Sequence, residues 1–323
     1  LHEVYFILLR KFFLKIFHSI HDYPSEEKAF LTIGSFDGLH LGHQKIIQKL
    51  VEEASVENCK SLILTFFPLP KTFFTRNTSD IKLINTIEER IDLLQQEKLD
   101  YLVIQEFTEA FSNLSPEQFV KEILVKKFNV AKIFVGYDHK FGKNRSGNFE
   151  TLVDLSKKYH FDVEQIDAKD VNSNIVSSTK IRNAIVDGNM TEANHYLGYP
   201  FFITGKVVQG KQIGRTIGFP TANISIENSD KILPKKGVYI IQSIINNKTV
   251  NGVLNIGTRP TVNGENQTIE AHFFDFDADI YNQEIVVSFL EFIRPEQKFN
   301  SLDALKQQIE NDKQKALLFF NKN

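Results

Sequence analysis

The run Thr32-Ile33-Gly34-Ser35-Phe36-Asp37-Gly38-Leu39-His40-Leu41-Gly42-His43 constrains this chain more than any other. An apolar segment, Ala29 to Ile33, stops at a loop with Gly34 and Gly38, and an amphipathic segment starts at Gly42. His40 and His43 therefore sit where a strand hands over to a helix. The first turn of a helix has unpaired backbone N–H groups and a partial positive charge, and glycines let a polyanion approach the backbone closely. The loop reads as a phosphate site, to which two imidazoles add hydrogen bonds and some positive charge. His-x-x-His spacing also suits a metal pair, but no third ligand stands at a helpful spacing and the chain has a single cysteine, Cys59.

From Ala29 to about Gln165, short apolar runs alternate with helical patterns. Ser61 to Phe66, Tyr101 to Ile104, Lys132 to Val135 and Phe161 to Val163 read as strands. Thr86 with Glu89 forms a capping-box pattern before Ile91, Leu93 and Leu94, and Ser115-Pro116 opens a helix carrying Phe119, Ile123 and Leu124. Such alternation predicts an α/β fold, a Rossmann-like parallel sheet with ligands at the carboxyl ends of its strands. The His40–His43 loop lies at one such end. A second phosphate-suited element follows at Ser177-Ser178-Thr179-Lys180-Ile181-Arg182, with hydroxyls at a helix start, a cation one turn in, and Gly188 as a C-terminal stop.

Beyond Leu197 the texture changes. Phe202 to Val208, Val238 to Ile245, Thr249 to Ile256, Thr268 to Phe274 and Glu284 to Leu290 read as strands, with Asn246-Asn247 and Asn263-Gly264 as hairpin turns. Short connections imply an antiparallel sheet or a small antiparallel β-barrel. Asn300 or Ser301 caps a terminal helix whose Leu302, Leu305 and Ile309 recur at helical spacing. The expected division is an α/β domain over 15–187, a linker over 188–200 and a barrel domain over 201–323, with 1–14 an N-terminal extension.

In the barrel half, Gly205-Lys206-Val207-Val208-Gln209-Gly210-Lys211-Gln212 mimics a P-loop, yet Gln212 stands where Ser or Thr must hold magnesium and no helix follows. The better reading is the loop Gly210 to Asn223, with glycines at 210, 214 and 218, cations at Lys211 and Arg215, and oxygen donors Thr221 and Asn223 at its end. Magnesium prefers such donors and keeps several waters, so these two side chains together with ATP phosphates could hold it, and the same residues read equally as a glycine-rich loop ending in a rigid turn at Pro220.

Composition excludes several classes. Net charge is −2, from 38 basic and 40 acidic side chains with no basic block, which argues against a nucleic-acid partner. A lone cysteine fits a reducing, cytoplasmic setting. Leu1 to Phe17 is apolar, but Arg10, Lys11 and Lys15 interrupt it, so it reads as neither a membrane span nor a signal peptide.

His40-Leu41-Gly42-His43 resembles the HxGH signature of the nucleotidyltransferase superfamily, and Ser177 to Arg182 is a near-literal match to the SSTxIR segment that closes its ATP site. Gly218-Phe219-Pro220-Thr221-Ala222-Asn223 resembles the riboflavin kinase signature GxPTAN. Gly237-Val238-Tyr239, Asn255 to Thr261, Glu270-Ala271-His272, Asp279-Ile280-Tyr281 and Arg294-Pro295-Glu296 continue the likeness, as does Gly136-Tyr137-Asp138-His139-Lys140-Phe141-Gly142 in the first half. Over about residues 15 to 323 the chain resembles the bacterial bifunctional riboflavin kinase/FMN adenylyltransferases.

The resemblance implies two reactions, riboflavin phosphorylation to FMN and adenylyl transfer from ATP to FMN, with ATP, riboflavin and FMN as partners and magnesium as cofactor. It assigns Glu270 as general base, His40, His43 and Arg182 as catalytic charge stabilisers, and Thr221 and Asn223 as metal ligands. ATP contacts fall on Gly34, Phe36, Asp37, Gly38, Gly42, Gly136, Asp138, Ser178 and Thr179 in one site, and on Gly210, Lys211, Gly214, Arg215 and Gly218 in the other. Arg294 and Glu296 fall at the flavin. Two departures stand out: Thr65-Phe66-Phe67-Pro68-Leu69-Pro70 lacks the acid and the histidine of the family's TFDPHP-like run, and Leu317 replaces a common Arg. The first keeps open a kinase with an impaired adenylyltransferase half.

Overall fold

The structure, a computed structural model, describes residues 13–24, 26–70, 82–166, 176–210, 214, 218–261 and 264–322. The chain divides into two compact units, with the break between Ser178 and Thr179.

The first unit is a six-stranded, all-parallel sheet in the order β1-β4-β3-β2-β5-β6. Its strands are β1 (Lys15–Phe17), β2 (Ala29–Ile33), β3 (Lys60–Phe66), β4 (Tyr101–Gln105), β5 (Val130–Gly136) and β6 (Asp162–Ile166). Every residue of β2 is buried and β3 is buried beyond its first residue, as strands covered on both faces must be. Helix α1 (Leu41–Val56) buries Ile47, Leu50 and Ala54, one helical stripe, and each fully buried large aliphatic side chain is worth about 1.5–3 kcal/mol.

Helix α2 (Ile87–Leu94) starts at the expected capping box, Thr86 with Glu89. Ser115 and Gln118 form a second box, but the segment it opens continues over Phe119–Val125 as a π-helix. Helix α3 (Phe149–Tyr159) follows. Because β3 and β5 flank β2 on opposite sides, the order reverses between β2 and β5, which opens a crevice at their carboxyl ends.

The second unit contains α4 (Ser178–Val186) from Thr179 onward, α5 (Met190–Leu197), a closed antiparallel barrel and a C-terminal helix. The barrel runs β10-β11-β8-β7-β12-β9, from β7 (Phe202–Val208), β8 (Ala222–Ser225), β9 (Gly237–Ile245), β10 (Lys248–Thr261), β11 (Gly264–Phe273) and β12 (Glu284–Arg294). Gly188, at φ +72, ends α4 as the sequence predicts. Asn246 and Asn247 both take positive φ in the β9–β10 turn. The expected Asn263 turn lies outside the described residues. Helix α6 (Leu302–Lys322) starts at Ser301, whose hydroxyl accepts from the Ala304 amide at 3.1 Å. Its first expected anchor is corrected: Leu302 is 61% exposed, and the helix buries Asp312 and Ala316 instead.

Candidate functional site

In the first unit, His40 is the N-cap of α1. Its Nδ1 accepts from the His43 amide at 3.4 Å, so this nitrogen is unprotonated and any ring proton sits on Nε2. The two imidazoles stack, with centroids 3.7 Å apart and planes at 15°, and the Phe36 ring lies 5.1 Å from His43. No acidic residue occupies the first turn of α1, so the positive end of its dipole is left for a ligand anion.

The loop is strained. Phe36 and Leu39 take left-handed φ of 48° and 32°, and both are buried. Such conformations cost about 1–3 kcal/mol each and persist where the surroundings over-determine them.

What holds this loop is Asp37, which is 1% exposed. Its carboxylate accepts from the amides of Ile84 at 3.2 Å and Asn85 at 3.0 Å, and it lies 3.7 Å from a guanidinium nitrogen of Arg90, itself 0% exposed. The Asp37 carbonyl accepts from the hydroxyl of Ser178, the last residue of this unit, at 2.9 Å. Thr179 and Arg182 of the second motif belong to the second unit, Thr179 exposed and Arg182 half-buried. Gly136 ends β5, where a Cβ would lie 3.7 Å from Asp138 Oδ1 and 3.8 Å from Ile46 Cδ1 of α1. The β2 and β5 ends thus bring Gly34, Gly38, Gly42, Gly136 and Asp138 to one edge.

One electrostatic expectation changes. Burial, then the neighbouring His40, then Arg90 push the His43 pKa well below 6.5, so this imidazole is neutral at neutral pH and contributes hydrogen bonds rather than charge. At the neighbouring end of β3, Phe67 is partly exposed and Leu69 is buried, so the departure from the family run sits on the same carboxyl edge of the sheet.

In the second unit, a cavity of about 310 Å³ is lined by Thr221, Asn223, Glu270, His272, Arg294 and Glu296, together with apolar side chains including Leu305 and Ile309 of α6. Antiparallel register sets the central pair: Glu270 of β11 stands directly across from Asn223 of β8. His272, two residues along on the same face, has its Nδ1 2.8 Å from the Pro220 carbonyl, which ties down the turn before Thr221. A side chain at Gly210 would collide with the Asn223 amide, and Gly214 accepts through its carbonyl from the Phe219 amide at 2.8 Å. Gly218 takes a φ of +87°. Lys211 and Arg215 lie outside the described residues. Thr221, Asn223 and Glu270 form an all-oxygen donor set, which suits a hard divalent cation.

Arg294 and Glu296 line the cavity, but their charged heads are engaged. The Arg294 guanidinium grips the buried Asp312 carboxylate of α6 through Nε and Nη2 at 2.8–3.1 Å, and Gln308 Nε2 donates to the same carboxylate at 2.9 Å. Glu296 accepts weakly from the Thr258 amide at 3.4 Å. Arg90, His272 and Asp312 were given no role from the sequence, although His272 stands in the Glu270-Ala271-His272 run that carries the family likeness. A charge at the apolar spacing of Arg90, Leu93 and Leu94 was the one signal available for the first of them.

The two units therefore define an α/β nucleotide-binding domain and a six-stranded barrel domain with its own polar cavity. Family models agree: FAD synthetase matches residues 22–180 and riboflavin kinase matches residues 197–320. The bifunctional riboflavin kinase/FMN adenylyltransferase of Haemophilus influenzae is 39% identical over 90% of this chain and 94% of its own length. Its counterpart in Bacillus subtilis is 36% identical over 95% of this chain and 99% of its own. The chain belongs to the bifunctional riboflavin kinase/FMN adenylyltransferase family.

A solved structure described as a macrolide-efflux protein from Streptococcus pneumoniae matches with a TM-score of 0.85 and 30% identity, over 93% of this chain and 97% of that one. That likeness speaks to fold. Among the described residues no helix is long and apolar enough to cross a membrane.

Proposed function

We propose that this chain makes FMN from riboflavin and ATP in the barrel unit and FAD from FMN and ATP in the α/β unit. The observation that carries the reading is the presence of two polar sites, each complete in a different class of residues: a helix tip with stacked imidazoles, and a barrel cavity with Glu270 across from Asn223. Cys59 as the lone cysteine and ATP as substrate fit a cytoplasmic enzyme.

In the barrel, Glu270 takes the proton from the terminal ribityl hydroxyl of riboflavin as that oxygen forms its bond to the γ-phosphorus of ATP, and ADP leaves. Thr221 and Asn223 would hold a magnesium ion, which would supply charge neutralisation at the phosphate oxygens. His272 keeps the Pro220 turn in place beside them. Arg294 holds α6 over the apolar wall of the cavity through Asp312, and so serves flavin binding by shaping that wall.

In the α/β unit, a phosphate oxygen of FMN bonds to the α-phosphorus of ATP and pyrophosphate leaves, so no side-chain nucleophile is needed. The free amides of the α1 tip, His40 and His43 donate to the phosphates, and catalysis is positioning plus charge stabilisation. Thr179 and Arg182, at the start of α4, are a hydroxyl and a cation suited to phosphate oxygens. Gly34, Gly38 and Gly42 let the triphosphate reach the backbone, and Asp37 shapes the loop from inside.

Chromatography of the products formed from riboflavin, ATP and magnesium tests the scheme in His43→Ala and Glu270→Gln variants. Each variant is expected to lose one product-forming step and keep the other when supplied with its own substrate. Equal loss of both steps in both variants would sink the two-site reading.

A further inference from the structure

We infer that Arg90 is a positioning residue for nucleotidyl transfer, acting through Asp37 to hold the His40–His43 loop; the inference rests on the reading of that loop as the FAD-forming site. Positions 36, 38 and 39 all take positive φ, two of them in residues other than glycine, so the loop needs an external hold. Asp37 supplies it by gripping the start of α2. Its two carboxylate oxygens accept from the amides of Ile84 and Asn85, just before the Thr86 N-cap, and the guanidinium of Arg90 lies one turn further along.

All four participants are buried: Ile84, Asn85 and Arg90 at 0% exposure and Asp37 at 1%. An ionised carboxylate in such a place is tolerated only with a countercharge. Arg90 is that countercharge. The capping box of Thr86 and Glu89 fixes the helical register that aims Arg90 at the loop, and the Arg90 amide donates to the Thr86 carbonyl at 3.0 Å. The Arg90 charge also opposes protonation of His43, after burial and the neighbouring His40. One side chain thus holds the loop and adds to what keeps its second imidazole neutral.

The test uses the full chain. R90M, R90K, D37N and the D37N/R90M double variant are compared for FAD formation from FMN, for FMN formation from riboflavin, and for hydrogen exchange at the Ile84 and Asn85 amides. Misplacing a catalytic group by about 1 Å costs about 100-fold, so R90M should lose about that factor in kcat for FAD while FMN formation stays at the wild-type rate. R90K, which keeps the charge, should lie closer to wild type. The double variant, uncharged at both positions and so a second chance at a folded protein, should lose no more than the worse single variant, because the two residues act as one unit. The Ile84 and Asn85 amides should exchange faster in R90M.

Wild-type FAD formation per folded molecule in R90M, or losses that multiply in the double variant, would overturn the inference. If the wild-type chain itself forms no FAD, the reading of the site fails. The inference, which rests on that reading, falls with it; where the wild-type chain does form FAD, unchanged protection of these amides in R90M refutes the inference alone.

Discussion

On the proposed reading the two sites solve the same problem, holding a triphosphate, with opposite materials. In the α/β unit the binding groups are backbone amides at a helix tip, shaped by a strained loop whose carboxylate points into the protein. In the barrel they are side chains projected from β8, β11 and β12 into one cavity, placed by the register of antiparallel pairs. A backbone site depends on whatever keeps the loop folded, whereas a side-chain site depends on the identity of each lining residue. Substitutions should therefore act through geometry in the first unit and through chemistry in the second.

The largest effect is expected where chemistry is lost outright. Glu270→Gln keeps the size and the cross-strand partner of the base but cannot take a proton, so FMN formation should fall by about 10²–10⁴, the usual worth of a positioned base. FAD formation from supplied FMN should be unchanged. Steady-state rates with each flavin check this, and an unimpaired kinase would show that the register pair of Glu270 and Asn223 is not the reacting one.

His43→Ala should slow FAD formation by about 10²–10³, the worth of one preorganised donor in a dry site. Because the structure makes His43 a neutral hydrogen-bonding group, His43→Gln should retain more activity than His43→Lys. The reverse ranking would mean that the loop works by charge, and the contrast between the two sites would shrink.

Asp312→Asn tests the barrel's own scaffold. It weakens three charged hydrogen bonds from Arg294, interactions worth about 1.5–3 kcal/mol when made to charged groups. The expected outcome is a lower melting temperature and a raised KM for riboflavin, with kcat for FMN largely kept. A fall in kcat alone would place Arg294 at the reacting phosphate rather than at the wall.

How much of this was legible follows the same division. The contiguous loop of Gly34 to His43, the capping box at Thr86, the Ser177 to Arg182 motif and the alternation of strands and helices all lie in local sequence, where periodicity and capping rules operate. β1 and β8 were missed because three or four residues are too few to show a period. The π-helical continuation after Gln118 was also hidden, since its apolar spacing reads as an ordinary helix. The partners that hold the sites were least visible: Arg90 is far from Asp37 in sequence, and the family likeness that places Arg294 at the flavin does not show that it grips Asp312. Their roles arise from tertiary placement, which one sequence does not encode in any local pattern.

The smallest predicted effect is a pH dependence of stability in the first unit. His43 is held below its ordinary 6.5, and burial drives His139 from 6.5 to about 4, against the opposing pull of Asp138. For both groups the unfolded chain binds more protons than the folded one between those values, so stability rises with pH in that window. The contribution is complete above about pH 6.5 and is lost as the pH falls toward the folded pKa values. Calorimetry at pH 7.5, 6 and 5 should show a falling melting temperature, and His43→Gln should flatten that slope because an amide has no proton to take up. A slope unchanged in His43→Gln would mean that the imidazole titrates alike in the folded and unfolded chain and takes up charge in the loop below about pH 6.5, and the first site would then resemble the second in having charged side chains to use.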